Sequence, residues 1–269
     1  MARRQRLDAE LVRRGLARSR EQAQELVAAG RVTVGGSPAG KPATQVDLGA
    51  AIVVADDVDD PGYVSRGAYK LAGALEVFGP DGLTVVGRRW LDAGASTGGF
   101  TDVLLRSGAA SVVCVDVGYG QLSWRLRQDP RVEVLDRTNV RDLGPDGWPG
   151  EPAGAVVADL SYISHGHVPA PLASVARPDA DFVLMVKPQF EVGRGRLGAG
   201  GVVRDPALRT EAVATIAARA YQQGLGVRGV TASPLPGPSG NVEYFLWLQA
   251  GAPGLDPAAL ARAIEEGPS

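Results

Sequence analysis

The run Trp90-Leu91-Asp92-Ala93-Gly94-Ala95-Ser96-Thr97-Gly98-Gly99-Phe100-Thr101 constrains this chain more than any other stretch. An apolar segment passes straight into a glycine-rich turn and then a helical pattern, which is how the first β-to-α corner of a parallel sheet reads. Such a corner brings backbone N–H groups and a helix N-terminus to one spot beyond the carboxyl ends of the strands, where ligands bind. The turn lacks the Gly-Lys-Ser/Thr ending of a P-loop. Ser96 also stands where a dinucleotide fingerprint needs its second glycine.

Asp92, two residues before Gly94, is awkward beside a pyrophosphate but suits a ligand that carries an ammonium and a sulfonium. That combination points to S-adenosyl-L-methionine, with Asp92, Gly94, Ser96, Thr97, Gly98 and Phe100 expected to bind it; a purely structural turn is the competing reading. Ser111 to Val117 reads as the second strand, and Asp116 is suited to the ribose hydroxyls of the same ligand. Val132 to Asp136 reads as the third strand, and Asn139 follows where an adenine would sit. Ala155 to Asp159 and Asp181 to Lys187 read as the fourth and fifth. A helix over Pro206 to Gln223 and two more strands, Val227 to Ala232 and Tyr244 to Leu248, complete an α/β pattern closing with an antiparallel pair, as in a Rossmann-like class I methyltransferase.

The first 60 residues have a different texture. Leu7, Leu11 and Val12 recur at helical spacing. Ser19 and Gln22 form a capping box before Ala23, Leu26 and Val27, Gly30 ends that second helix, and two short strands follow at 31–34 and 51–54. Residues 1–41 carry nine Lys/Arg against four Asp/Glu, whereas the whole chain is −2. Two helices followed by short strands, with Ser19 to Ala23 and Leu26 to Val34 as they stand, resemble a small α+β RNA-binding module shared by a small-subunit ribosomal protein and many pseudouridine synthases. Arg4, Arg6, Arg14, Arg18 and Arg20 are the expected phosphate contacts, together with Arg66, Arg194 and Arg196 further on. A merely solvated charged face is the alternative. The expected organisation is a module at 1–60, a linker at 61–67 after the acidic run Asp56–Asp60, and a methyltransferase domain at 68–269.

The composition removes several rivals. One cysteine, Cys114, sits in an apolar strand and reads as a buried hydrophobe, and with only His165 and His167 beside it neither a zinc site nor a Ser-His-Asp triad is available. No metal is expected. No window resembles a membrane span, and Met1 to Arg6 lacks an apolar signal segment behind it, so a cytoplasmic protein without a membrane partner is expected.

Four charged residues fall at corresponding places: Lys70 before the first strand, Asp159 after the fourth, Lys187 after the fifth and Glu243 beside the last. Lys70 near a helix start opposes the helix dipole, which suggests a function. Methyl transfer from a sulfonium to a sugar hydroxyl is an in-line displacement that needs alignment and removal of the hydroxyl proton. Lys187 is assigned to receive that proton or orient the oxygen, supported by Lys70, with Asp159 towards the methyl donor and Glu243 orienting the lysines. Each residue taken singly would pass for a strand-end charge in solvent.

With Tyr63 to Leu71, Leu91 to Thr101, Val157 to Ser164 and Val186 to Glu191 in view, the chain resembles the TlyA (hemolysin A) family of ribosomal RNA methyltransferases over nearly its whole length. The resemblance implies an FtsJ-like catalytic domain, S-adenosyl-L-methionine as cofactor, 2′-O-methylation of cytidine in ribosomal RNA or ribosomal subunits, and a catalytic tetrad at Lys70, Asp159, Lys187 and Glu243. The glycine- and arginine-rich segment 193–201 would close over RNA, or be a disordered loop. A membrane-active hemolysin and a non-catalytic RNA-binding protein are the alternatives.

Overall fold

The computed structural model describes residues 4–17, 19–55, 61–160, 169–237 and 239–268. The run Asp56–Asp60, the stretch Ser161–Ser164 of one motif, His165, His167 and Arg18 lie outside them. The chain divides into two compact units, Met1–Gly62 and Tyr63–Ser269.

The first unit contains β1 (Arg4–Arg6), α1 (Leu7–Arg13), α2 (Arg20–Ala28), β2 (Val32–Val34), β3 (Ser37–Pro38), β4 (Gln45–Asp47) and β5 (Ile52–Val54). The Ser19 side chain accepts from Gln22 N at 3.1 Å, fixing the start of α2. Gly30, at φ 70°, lets the chain leave it. β2 pairs antiparallel with both β3 and β5, and β1 with β4, a ladder of three residues that the local sequence does not announce. Leu7, Leu11, Ala23, Leu26, Val27, Val32, Val46 and Ile52 make a core of their own.

The second unit runs α3 (Arg66–Phe78), β6 (Arg89–Ala93), α4 (Gly99–Arg106), β7 (Ser111–Asp116), α5 (Trp124–Arg127), β8 (Val132–Asp136), β9 (Ala153–Ala158), α6 (Pro169–Ser174), β10 (Ala176–Val186), α7 (Pro188–Glu191), α8 (Pro206–Gln222), β11 (Leu225–Ala232), β12 (Tyr244–Ala250) and α9 (Pro257–Glu265). α3 begins at Arg66, so Arg66 and Gly67 of the expected linker are helix. The sheet has the order β11-β12-β10-β9-β6-β7-β8, with β6 to β10 parallel and β12 antiparallel to both neighbours. Trp90, Leu91, Asp92 and Ala93 are buried, as a central parallel strand covered on both faces requires. α3 presents Leu71, Ala74 and Phe78 to the core under the sheet, each large apolar side chain contributing about 1.5–3 kcal/mol. The chain passes from β6 to β7 on one side, while β9 lies on the other, so the strand order reverses at β6. That switch point is where doubly wound sheets bind ligands.

Candidate active site

The sheet register decides which charges meet. Ala93 pairs with Ala158 across β6 and β9, Leu184 with Ala158 across β10 and β9, and Val186 with Tyr244 across β10 and β12. Because β12 is antiparallel, its beginning lies at the same edge as the ends of the other three. Gly94 and Asp159 are therefore level on neighbouring strands at this carboxyl edge, and Lys187 is level with Glu243 two residues further out than Asp159. Lys70 on α3 reaches the same edge: its Nζ lies 2.6 Å from Glu243 Oε2, with both side chains buried. Lys187 Nζ contacts Asp159 Oδ1 in a second ion pair. The lysine opposed to its helix dipole is thus held by a carboxylate at the start of β12.

Beside these pairs the glycine turn is tightly drawn. Gly94 and Gly98 have φ 86° and 95°. A Cβ on Gly94 would stand 2.5 Å from the Asp159 carbonyl oxygen, and one on Gly98 would stand 2.3 Å from Leu126 Cδ1. Asp159 N donates to Ala93 O at 2.9 Å, so the turn and the second ion pair share backbone. Ser96 and Thr97 are exposed on the turn.

Asp92 is fully buried beneath the turn, its Oδ2 accepting from Thr101 Oγ1 at 2.6 Å and its Oδ1 buried with no partner. Burial pushes its carboxyl up to about 7, the charges of Asp159 and Asp116 add to the effect, and the Thr101 hydrogen bond opposes it. Cys114, 3.0 Å from the same Thr101 hydroxyl, is buried, and desolvation raises its thiol well above the ordinary value, as expected of a packing residue. Asp116 stitches two loops together: Oδ2 accepts from Ser96 N at 2.8 Å and Oδ1 from Gly118 N at 2.7 Å.

Several expected site residues have other employment. Phe100 is a core residue, 4% exposed and packed against Phe245, because the first turn of α4 points it inward rather than to the rim. Asn139 Oδ1 accepts from Arg141 N at 3.0 Å and caps the short 3-10 turn Val140–Asp142. The Arg14 guanidinium donates to Glu10, to Ala50 O and to Leu48 O, tying the end of α1 to the turn between β4 and β5. Arg196 is engaged bidentately by Glu211, at 2.7 and 2.6 Å. Arg4, Arg6 and Arg20 keep exposed guanidiniums beside Asp47 and Asp8. Arg66 donates to Pro236 O at 3.5 Å, and the side chain of Arg194 lies outside what is described.

The segment after Lys187 is ordered by a residue the sequence did not single out. Asn241, 3% exposed, accepts from Val203 N at 2.8 Å and donates to Gly201 O at 3.1 Å, pinning this segment beside the strand that carries Glu243. Its signal was position alone, two residues before Glu243 in a proline-rich loop. Among the described residues no helix is long and apolar enough to cross a membrane, and no His, Cys, Asp and Glu group is placed to hold a metal ion.

Residues 63–250 match the model of the FtsJ-like methyltransferase family, and residues 5–52 that of the S4 domain. The 16S/23S rRNA (cytidine-2′-O)-methyltransferase TlyA of Mycobacterium tuberculosis is 59% identical over 100% of both chains. The chain belongs to the TlyA family. Another member, Hemolysin A of Brachyspira hyodysenteriae, is 36% identical over 89% of this chain and 98% of its own. A solved hemolysin-named structure from Streptococcus thermophilus superposes with a TM-score of 0.77 at 36% identity, covering 99% of this chain and 98% of that one. TlyA-family membership joins an S4 domain to an FtsJ-like, Rossmann-type methyltransferase in one chain, which is the α/β class with a small N-terminal domain expected above.

Proposed function

We propose that this TlyA-family enzyme transfers a methyl group from S-adenosyl-L-methionine to the ribose 2′-oxygen of a cytidine in ribosomal RNA. The observation that carries the reading is the pair of lysine–carboxylate contacts, Lys70 with Glu243 and Lys187 with Asp159, at the sheet edge beside the glycine turn at the switch point.

The residues present fit the cofactor. Asp92 Oδ1 is a buried acceptor without a partner, the complement of a ligand ammonium, and the absence of a Cβ at Gly94 and Gly98 lets the turn pack closely on Asp159 and Leu126 in a positive-φ shape that keeps Ser96 and Thr97 exposed at its tip. Asp116 keeps lone pairs for ribose hydroxyls beyond the two backbone donors it already serves. When bound, the cofactor supplies a methyl on a sulfonium, electrophilic without further activation.

What the protein adds is alignment and a path for one proton. The C–S bond breaks as the O–C bond forms, and the hydroxyl proton must leave the attacking oxygen. Lys187, beside Asp159, is positioned to orient that oxygen; once its ammonium has passed a proton to Asp159 or to water, the neutral amine takes up the hydroxyl proton. Glu243 holds the Lys70 ammonium, and the two pairs together fix the direction of the hydroxyl. A ribose within a helix is poorly presented, so the target nucleotide is unstacked to reach this edge. The S4 unit holds neighbouring RNA through arginine–phosphate contacts.

Purified protein and its Lys187→Ala variant, incubated with methyl-labelled S-adenosyl-L-methionine and unmodified small or large ribosomal subunits, test the reading. The wild type should label a cytidine ribose and the variant should not. No label from the wild type on either subunit sinks the function, and full activity in the variant sinks the role of Lys187.

A further inference from the structure

The S4 unit is small, yet it buries two carboxylates, Asp8 and Glu10, to 0% exposure. A buried carboxylate is costly unless it is paired. Glu10 is paired within its own helix and the residue after it, by Arg13 and Arg14. Asp8 instead collects partners from three places. Its Oδ1 accepts from Ala9 N at 2.8 Å and from Arg6 Nε on β1 at 3.1 Å. Its Oδ2 accepts from Arg6 Nη2 at 2.8 Å and, on α2, from Arg20 Nη2 at 3.1 Å and Gln24 Nε2 at 3.4 Å.

One oxygen therefore binds both guanidiniums, and two nitrogens 2.8 and 3.1 Å from a common atom lie within about 6 Å of each other. The side chains of Arg6 and Arg20 remain 44% and 56% exposed, so the N–H groups not turned towards Asp8 face solvent together. Two such forks at this separation can close on the oxygens of a single phosphate. We propose that Asp8 is a positioning residue, whose buried carboxylate holds Arg6 and Arg20 side by side as one preset clamp for an RNA phosphate. This rests on the reading that the S4 unit binds ribosomal RNA. The side-chain freedom that a surface arginine loses on binding is here lost on folding, before the RNA arrives. The arginine hydrogen bonds keep the Asp8 carboxyl far below its ordinary range, so the clamp stays charged at every working pH.

Asp8 also carries a negative charge, and this makes the idea testable by sign. Asp8→Asn raises the attraction of the unit for any polyanion while releasing the clamp. With full-length protein at fixed salt, Asp8→Asn should bind unmodified 23S ribosomal RNA about tenfold more weakly and polyuridylate as tightly as the wild type or more so. Arg6→Lys combined with Arg20→Lys keeps charge and Asp8 but removes the forks, and should lose the same tenfold on ribosomal RNA. Adding Asp8→Asn to an Arg6→Ala/Arg20→Ala background should change binding no further.

The proposal is overturned if Asp8→Asn binds both RNAs at least as well as wild type, if it weakens both alike, or if the lysine pair binds like wild type. The lysine pair decides on its own should Asp8→Asn not fold. If the alanine pair keeps full ribosomal RNA binding, the reading beneath the proposal fails as well. If the alanine pair loses binding while Asp8→Asn does not, only the positioning role fails.

Discussion

The two lysine–carboxylate pairs set what single substitutions should do. Glu243→Gln leaves a buried Lys70 ammonium without its counter-charge, a change that costs about 3 kcal/mol. Urea denaturation should show that loss, together with reduced methyl transfer. Lys187→Ala should lower transfer at least about 100-fold, the ordinary scale for a positioned proton acceptor, and Lys187→Arg, which keeps a cation beside Asp159 and so the urea midpoint, should lose transfer as well, marking the effect as chemical. Asp92 predicts a pH signature. Its carboxyl is pushed up to about 7 in the folded protein, so between the ordinary carboxylate value near ~4 and that point the folded state binds more protons than the unfolded. Stability contributed here is present at low pH and falls as pH rises through 7. The melting temperature of the cofactor-free wild type should drop between pH 5 and pH 8 by more than that of Asp92→Asn, and an equal drop in both would refute the assignment. The charge types at Lys70, Asp159, Lys187 and Glu243 were legible from residue order, because charged residues flanking apolar strands, and a lysine near a helix start, stand out. Their pairing was not, since Lys70 and Glu243 lie 173 residues apart. The burial of Phe100 and the bonds of Arg14 were not legible either: an aromatic in a ligand turn and an arginine in a basic segment give no sign of which way they face.

At the scale of elements, the glycine corner is the most demanding. Gly94→Ala places a methyl group 2.5 Å from the Asp159 carbonyl oxygen at a φ of 86°, so the turn must move and Asp159 with it. Calorimetric titration should find cofactor binding lost in that variant while far-UV circular dichroism is retained. Strands with continuous apolar runs, such as β9 and β12, and the helix capped by Ser19 follow from local pattern, since burial on both faces or a cap is written into neighbouring residues. The β1–β4 ladder is not, because three polar residues gain strand geometry only from a partner about forty residues away. α9 also carries a local signal: Asp256 caps it and Pro257 occupies its first turn.

The two units have separate hydrophobic cores, and that predicts how the molecule unfolds. Trp90, Trp124, Trp148 and Trp247 all belong to the second unit, so tryptophan fluorescence does not see the first. Leu11→Ala empties a fully buried site in the first unit at a cost of about 2–5 kcal/mol. The variant should shift the circular dichroism transition in urea and leave the fluorescence transition in place; a common shift would mean that the units unfold together. The sequence by itself determined the glycine corner, the alternation of strands and helices, the basic N-terminal segment and the four charge types, because each is recorded in spacing along the chain. Only the tertiary structure decided that Lys70 meets Glu243, that Asp92 lies buried beneath its turn, and that Asp8 joins Arg6 to Arg20. Those contacts depend on strand order, register and burial, which no local stretch of residues contains.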